Sequence, residues 1–382
     1  MLLRCAIVSP DACPGASGTL EGVRSACREE SVTIGRLFAG AVVWATSLCS
    51  GAQQSATAPC PRLALGVDVS FLPKAETDGT VFRDKGTAGP GLQILRSHGY
   101  GWVRLRLFNA PTTLPNDLVY SLAEAKQAKA LGFGLLLDFH YSDDWADPGH
   151  QITPLAWQKL NHRQLTDAVF AFTRDTIAKF REAGVLPDVV QVGNEVTAGI
   201  LWPDGKLPDN WSNFTDLISA GIRGVNEGSG SERKPKIMIH IDKGGNVEAT
   251  RWFFSNLAAG HVNFDVIGQS YYPWWEGSLD DLRANLAFMA HEYRKPIIIV
   301  ETAYSWRPDN YMKKRGPFPE TPEGQRAFLE ALTQVVAGTP DGLGRGIFWW
   351  EAAVRGPLAR RGLFDDHGDS LPAIDVFDGC MR

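Results

Sequence analysis

Residues 188–200 read DVVQVGNEVTAGI. Three of the first five residues are valine, which is typical of a short buried strand. The run then ends in Gly193, Asn194 and Glu195. A carboxylate left without a partner in an apolar core is costly in free energy. We therefore expect Glu195 to point from the end of a buried strand into a polar cleft.

The same design recurs along the chain from residue 63. We predict eight strands, at 63–71, 101–108, 133–141, 188–196, 236–242, 264–272, 296–304 and 346–353. Helical periodicity fills the gaps at 118–132, 164–184, 211–227, 247–259, 278–293 and 321–336. Strands that alternate with helices indicate βαβ units and a parallel sheet. Eight such units in one α/β domain, with no GxGxxG or P-loop, predict a (β/α)₈ TIM barrel.

The N-terminal region differs from the rest. Residues 37–49 form an apolar run that is too short to span a bilayer but has the length of a signal-peptide core. We assign 1–52 to an N-terminal extension plus signal peptide, 53–62 to a short mature segment and 63–382 to the (β/α)₈ domain, and expect a secreted or periplasmic protein. Because the apolar run starts late, translation from Val32 is an alternative.

Six cysteines are present, and only Cys60 and Cys380 follow the predicted signal peptide. They are either two unrelated free thiols or a disulfide of an exported protein. A barrel brings its first and last strands together, so we predict that the two are bonded.

The charge balance argues against two classes of partner. The formal net charge is −5, and no block rich in Lys or Arg occurs. Nucleic acid and membrane partners are therefore not expected, and we expect a monomer.

Polar and aromatic residues end every predicted strand. In a TIM barrel the active site lies at the carboxyl ends of the strands. Those residues are Asp68 and Ser70; Arg104, Arg106 and Asn109; Asp138, His140, Tyr141, Asp143 and Asp144; Asn194 and Glu195; His240 and Asp242; Gln269, Tyr271 and Tyr272; Glu301 and Tyr304; and Trp349, Trp350 and Glu351.

Glu195 and Glu301 end two apolar runs of the same design. Two carboxyl groups on opposite walls of one cleft are what glycoside hydrolysis requires, one as an acid and one ionised. Two other interpretations remain open. The carboxylates could form structural ion pairs with Arg104 and Arg106, or a metal could bind to other strand-end ligands, namely His140, Asp144 and His240.

The segments GVDVSFLPKAE, VRLRLFNAP, DFHYSDDWADP, VQVGNEVTAGILWPDG, GQSYYPWW, IIVETAYSW and FWWE resemble glycoside hydrolase family 53, the endo-β-1,4-galactanases. The resemblance runs from about residue 64 to about residue 378. DFHYSDDWADP and GQSYYPWW are specific, whereas GNE alone is weak.

This resemblance implies a secreted retaining enzyme that hydrolyses β-1,4-galactan. Glu195 matches the acid/base and Glu301 the nucleophile. Asn194 matches the residue that holds the sugar 2-hydroxyl, and Arg104 the arginine of the second strand. The further candidates for substrate binding are Arg106, His140, Asp144, Trp145, His240, Tyr271, Tyr272 and Trp350; the pattern does not tell which tyrosine faces the cleft.

The resemblance implies no cofactor and leaves calcium doubtful. The loop after the seventh strand lacks the Asp, His and Asn ligands that bind calcium in some bacterial members, so we predict no metal site. Two other functions remain open: another retaining (β/α)₈ glycosidase, such as a mannanase or cellulase, and a carbohydrate-binding barrel that has lost catalysis. Retention of both Glu and of Asn194 argues against the latter.

Overall fold

The fold is a closed barrel of eight parallel strands, in a computed structural model that describes residues 63–308 and 314–380. The predicted TIM barrel is confirmed. The strands are β1 (Ala64–Asp68), β2 (Trp102–Leu107), β3 (Gly134–Phe139), β4 (Val189–Val192), β5 (Lys236–Ile241), β6 (Val266–Ser270), β7 (Ile297–Thr302) and β8 (Gly344–Trp349). Each pairs with its neighbours in chain order, and β1 closes the barrel by pairing with both β8 and β2.

Helices surround the barrel. They are α1 (Leu72–Thr77), α2 (Gly91–Ser97), α3 (Leu118–Ala130), α4 (His162–Glu182), α5 (Trp211–Gly228), α6 (Val247–Ala259), α7 (Leu279–Tyr293) and α8 (Pro322–Ala337). Local chemistry sets several of their starts. Thr321 accepts a hydrogen bond from the backbone N–H of Gly324, and Asn161 and Gln164 form a capping box before α4.

Two apolar cores follow from the alternation of side chains along each strand. The larger one lies between strands and helices. The smaller one contains alternate residues from six of the eight strands, and we assign it to the barrel interior. Its members are Leu136, Val189, Met238, Val266, Ile298, Val300 and Phe348.

The inward positions change character along the strands. Two residues after three of these apolar positions, the same face carries a polar side chain: Leu136 is followed by Asp138, Val189 by Gln191, and Met238 by His240. All three polar side chains are fully buried. At the carboxyl end of the barrel, a layer of buried polar side chains therefore lies above the apolar interior.

The chain end is covalently fixed. Cys380 is disulfide-bonded, and every other cysteine, including Cys60, lies outside the described residues. The predicted pairing of Cys60 with Cys380 therefore stays a prediction. The predicted segments 1–52 and 53–62 also lie outside the described residues. None of the helices in the described part is both long and apolar enough to cross a bilayer.

Candidate active site

Backbone geometry at the ends of β4 and β7 sets the direction of the two glutamates. Glu195 has a left-handed φ of 47°, two residues after Gly193 with φ of 86°. A non-glycine residue in this region costs about 1–3 kcal/mol and persists only where its surroundings hold it. Near Glu301 the pairing register of β7 shifts with respect to both neighbouring strands, β6 and β8. An irregularity of this kind changes the direction in which a side chain points.

Glu301 lies against a cation. Its Oε1 is 2.8 Å from a guanidinium nitrogen of Arg104, and its Oε2 accepts a hydrogen bond of 3.3 Å from the Tyr272 hydroxyl. Arg104 is fully buried and also contacts Asp68 at 2.9 Å and Asp138 at 2.7 Å. One cation thus serves three carboxylates, which together raise the pKa of Arg104.

Glu195 has different neighbours. Its Oε1 is 2.5 Å from the Ser270 hydroxyl, and among the described residues it has no Lys, Arg or His partner within 4.0 Å. Burial, followed by the negative charges of Glu301 and Asp242, raises the pKa of Glu195 well above its usual value.

These different neighbours give the two carboxyl groups different affinities for a proton. Burial raises the pKa of Glu301 to about 7, against the opposing charge of Arg104. The charge of Arg104 favours the ionised form of Glu301, and burial weakens that effect without reversing the order of the two pKa values. Because Arg104 contacts Glu301 and not Glu195, the proton resides on Glu195 and the negative charge on Glu301.

Two half-buried tryptophans line the same rim. The rings of Trp145 and Trp350 are 6.1 Å apart and tilted by 49°. The guanidinium of Arg106 lies 4.1 Å from the Trp145 ring centroid, and Arg106 pairs with Glu351. The structural ion pair that we considered thus forms between Arg104 and Glu301, whereas Arg106 supports a tryptophan instead.

The side-chain amide of Asn194 is held by hydrogen bonds at both its oxygen and its nitrogen. Its Oδ1 accepts a hydrogen bond of 2.9 Å from Arg104, and its Nδ2 donates one of 2.8 Å to the Ala146 carbonyl. An amide nitrogen carries two hydrogens, so one remains for a ligand.

Three of the predicted substrate contacts are buried. Tyr271 is fully buried, stacks on Phe328 and donates its hydroxyl to the Gly277 carbonyl, so only Tyr272 of the two tyrosines faces Glu301. Arg106 and His240 are buried as well. Substrate contact by Arg106 and His240 stays a prediction.

The strand β3 candidates are divided. His140 is buried 3.0 Å from Asp138 and accepts a hydrogen bond from the Ala146 N–H, while Asp144 is exposed and accepts one from its neighbour Trp145. His140, Asp144 and His240 do not form a metal-binding group.

The one such group within the described residues is His98 with Asp375 and Asp378. His98 lies between α2 and β2, at the opposite end of the barrel from the two glutamates. This group is therefore separate from the candidate active site.

Ser270 and Glu351 were missed as site residues. Ser270 shares the inward face of β6 with Gly268, and continued alternation places Tyr272 on that face too. Strand parity was thus the signal for both Ser270 and the choice of tyrosine. Glu351 was visible as a strand end, but its pairing with Arg106 has no sequence signal.

Comparisons with known proteins identify the family of this chain. The family model "Glycosyl hydrolase family 53" matches residues 64–377. An uncharacterised protein of Niallia circulans is 42% identical over 307 residues, covering 76% of this chain and 83% of that protein. An arabinogalactan endo-β-1,4-galactanase of Thermothelomyces thermophilus is 35% identical over 332 residues, covering 82% and 98% of the two chains.

Among solved structures, the family 53 catalytic domain of Ignisphaera aggregans superposes with a TM-score of 0.79 at 33% identity. That match covers 84% of this chain and 97% of the other. The chain therefore belongs to glycosyl hydrolase family 53.

Proposed function

We propose that this glycoside hydrolase is a secreted endo-β-1,4-galactanase that cleaves the galactan chains of type I arabinogalactan with retention of configuration. The observation that carries the reaction type is the pair formed by Glu195, without a cation, and Glu301, against Arg104. The substrate rests on the name of the Thermothelomyces relative, which is 35% identical over almost its full length.

In the first step Glu301 attacks the anomeric carbon while Glu195 gives its proton to the departing glycosidic oxygen. In the second step Glu195, now ionised, takes a proton from water, which displaces Glu301 from the sugar. In this proposal the second N–H of Asn194 holds the sugar 2-hydroxyl beside Glu301. A retaining enzyme needs its two carboxyl groups about 5–5.5 Å apart, which a structure with bound ligand would measure directly.

The aromatic side chains supply the sugar platforms. Trp350 and Trp145 offer apolar faces at the rim, and Tyr272 holds Glu301 from the opposite side. Flat faces of this kind suit pyranose rings, which carry an apolar side.

A substrate panel tests the activity. Reducing ends should appear from β-1,4-galactan, with little release from mannan, cellulose or xylan, and early products should be a ladder of oligosaccharides. Proton NMR of the first products should show the β-anomer. Release mainly from mannan or cellulose would support another glycosidase of this fold, and early α-anomer would contradict retention. A chain with no activity on any of the four would support a binding role.

We also propose that the reaction uses only side chains of this protein. Dialysis against EDTA should leave the rate on galactan unchanged, with calcium-reconstituted enzyme as the matched control. A loss that calcium restores would contradict this.

Secretion rests on the signal peptide predicted before residue 53, which lies outside the described residues. N-terminal sequencing of the protein from culture medium tests it. A mature chain that retains residues 1–36 would exclude the predicted processing.

A further inference from the structure

Ser270 joins the candidate acid/base to a buried histidine. Its hydroxyl oxygen is 2.5 Å from Oε1 of Glu195 and 2.9 Å from Nε2 of His240. Both Ser270 and His240 are fully buried. A serine hydroxyl donates one hydrogen bond and accepts others, so it can serve a neighbour of either kind.

The other ring nitrogen of His240 has partners of both kinds. Its Nδ1 is 2.9 Å from Oδ1 of Asn194, which is an acceptor. The orientation of that amide is fixed, because Oδ1 also accepts from Arg104 and Nδ2 donates to Ala146. Nδ1 is also 3.4 Å from the backbone N–H of Glu195, which is a donor.

When Glu195 is protonated, one arrangement gives a hydrogen-bond partner to each of the three side chains. The Glu195 carboxyl donates to Ser270, Ser270 donates to Nε2 of His240, and the Nδ1–H donates to Asn194. Burial lowers the pKa of His240 well below its usual value, so the ring is neutral and has one acceptor nitrogen for the serine.

When Glu195 has lost its proton, the hydrogen bond between Glu195 and Ser270 reverses. The Ser270 hydroxyl turns to donate to the Glu195 carboxylate. His240 keeps its tautomer, and its Nε2 gives up the hydrogen bond that it accepted from Ser270. This rotation moves no proton between residues, and the only proton transferred is the one that Glu195 exchanges with the substrate.

We propose that Ser270, held by His240, is a positioning residue that gives Glu195 a hydrogen bond in both of its protonation states. The inference rests on the proposed function, in which Glu195 acts first as an acid and then as a base. It explains why a hydroxyl, and not a fixed donor such as a lysine, stands beside this carboxyl.

Other titratable groups near Ser270 also influence the pKa values of Glu195 and His240. The titratable groups that face Glu195 are Glu301, Asp242, Glu276 and Tyr272, and those that face His240 are Arg104, Asp138 and His140. The substitution Ser270→Ala changes none of these charges, so a changed pH profile would report the lost hydroxyl.

The test compares Ser270→Ala with Ser229→Ala. Ser229 is also fully buried, but its hydroxyl donates to the Val225 carbonyl at the end of α5. Both variants are assayed on β-1,4-galactan and on a 2,4-dinitrophenyl β-1,4-galactobioside, whose leaving group needs little acid assistance. Circular dichroism establishes that each variant is folded.

Ser270→Ala should lose roughly tenfold to a hundredfold in kcat/KM on galactan, a part of what a general acid contributes. On the aryl substrate it should lose only a few-fold. The ionised form of Glu195 loses a charge-assisted hydrogen bond, so the alkaline limb of the kcat/KM profile should move to higher pH. Ser229→Ala should match the parent enzyme in all three measurements.

Equal losses on both substrates with an unmoved alkaline limb would overturn the inference while leaving the proposed function intact. A parent enzyme that cleaves neither substrate would remove the proposed function. In that case carbon-13 NMR titration of the Glu195 carboxyl still tests the proposed role of Ser270, because Ser270→Ala must raise the pKa of Glu195. Glu195→Gln identifies the resonance, and an unchanged pKa would overturn the inference.

Discussion

At the residue scale, the two glutamates are chemically identical and differ in their partners. Arg104 stabilises negative charge on Glu301, while Glu195 has a neutral hydroxyl from Ser270. The roles that this difference supports can be separated by experiment, because the acid and the nucleophile fail in different ways when removed.

Glu195→Ala should retain the first step on an aryl glycoside with a good leaving group and then accumulate the glycosyl-enzyme, since no base activates water. Azide needs no base, so it should restore turnover and give a β-glycosyl azide. Mass spectrometry of the enzyme and NMR of the product measure both outcomes.

The matched variant is Glu301→Ala, which cannot form a glycosyl-enzyme and should be nearly inert on natural substrates. With azide it should yield the α-product or nothing. If the two variants exchanged these behaviours, the roles would be reversed.

At the scale of single elements, the turn after β4 presents Glu195 to the cleft. Gly193 has φ of 86°, and an added Cβ would lie 2.6 Å from Cγ1 of Val196. Gly193→Ala should therefore destabilise the fold by about 1–3 kcal/mol and lower kcat at least tenfold, because Glu195 moves with the turn. Urea unfolding and kcat on galactan measure the two effects.

Gly184, which ends the turn after α4, is the matched control. It has φ of 72°, but an added Cβ would meet nothing within 4 Å. Gly184→Ala should cost about 1 kcal/mol of stability through its backbone alone and leave kcat unchanged. Equal kcat for the two variants would show that the turn does not position Glu195.

The elements themselves were predictable from sequence, because an unbroken apolar run such as Ile297–Val300 has few alternatives to a buried strand. Their ends were less so. The register shift around Glu301 and the left-handed backbone of Glu195 depend on neighbouring strands and leave no local pattern. Which tyrosine faces the cleft was recoverable from strand parity. The Arg106–Glu351 pair, far apart in sequence, was not.

At the scale of the whole molecule, burying acidic groups makes stability depend on pH. Burial raises the pKa of Glu276 and of Glu351 to about 8. These groups hold protons in the folded state that the unfolded chain has released above about pH 4.5. The free energy of unfolding should therefore fall as pH rises from 6.5 to 8.5, as urea titrations would measure. The lowered pKa values of His140 and His240 act in the opposite direction only below about pH 6.5.

Glu276→Gln should make this dependence shallower, since the neutral amide has no proton to lose. Glu248→Gln, at an exposed position in the first turn of α6, should leave it unchanged. A steeper or unchanged slope for Glu276→Gln would mean that this carboxyl is ionised in the folded protein throughout the range.

The covalent closure of the chain also belongs to this scale. We predict that the partner of Cys380 is Cys60, which closes a loop of about 320 residues. A loop of this size restricts the unfolded chain and stabilises the fold by about 5 kcal/mol in the chain-entropy view. Thiol labelling of the non-reduced protein should find neither cysteine free, and tryptic mapping should give one linked peptide. Stoichiometric labelling of Cys60 would disprove the pairing.

Arg104 contacts Asp68, Asp138, Asn194 and Glu301, which come from four different strand ends. Asp68 and Asp138 come from the strands that flank Arg104, whereas Glu301 comes from β7 and meets Arg104 only when the barrel closes. Half of the barrel would therefore not contain the complete site. Catalytic activity therefore indicates that the barrel has closed completely. Because the four groups share Arg104, a substitution of any one of them should change the hydrogen bonds of the other three.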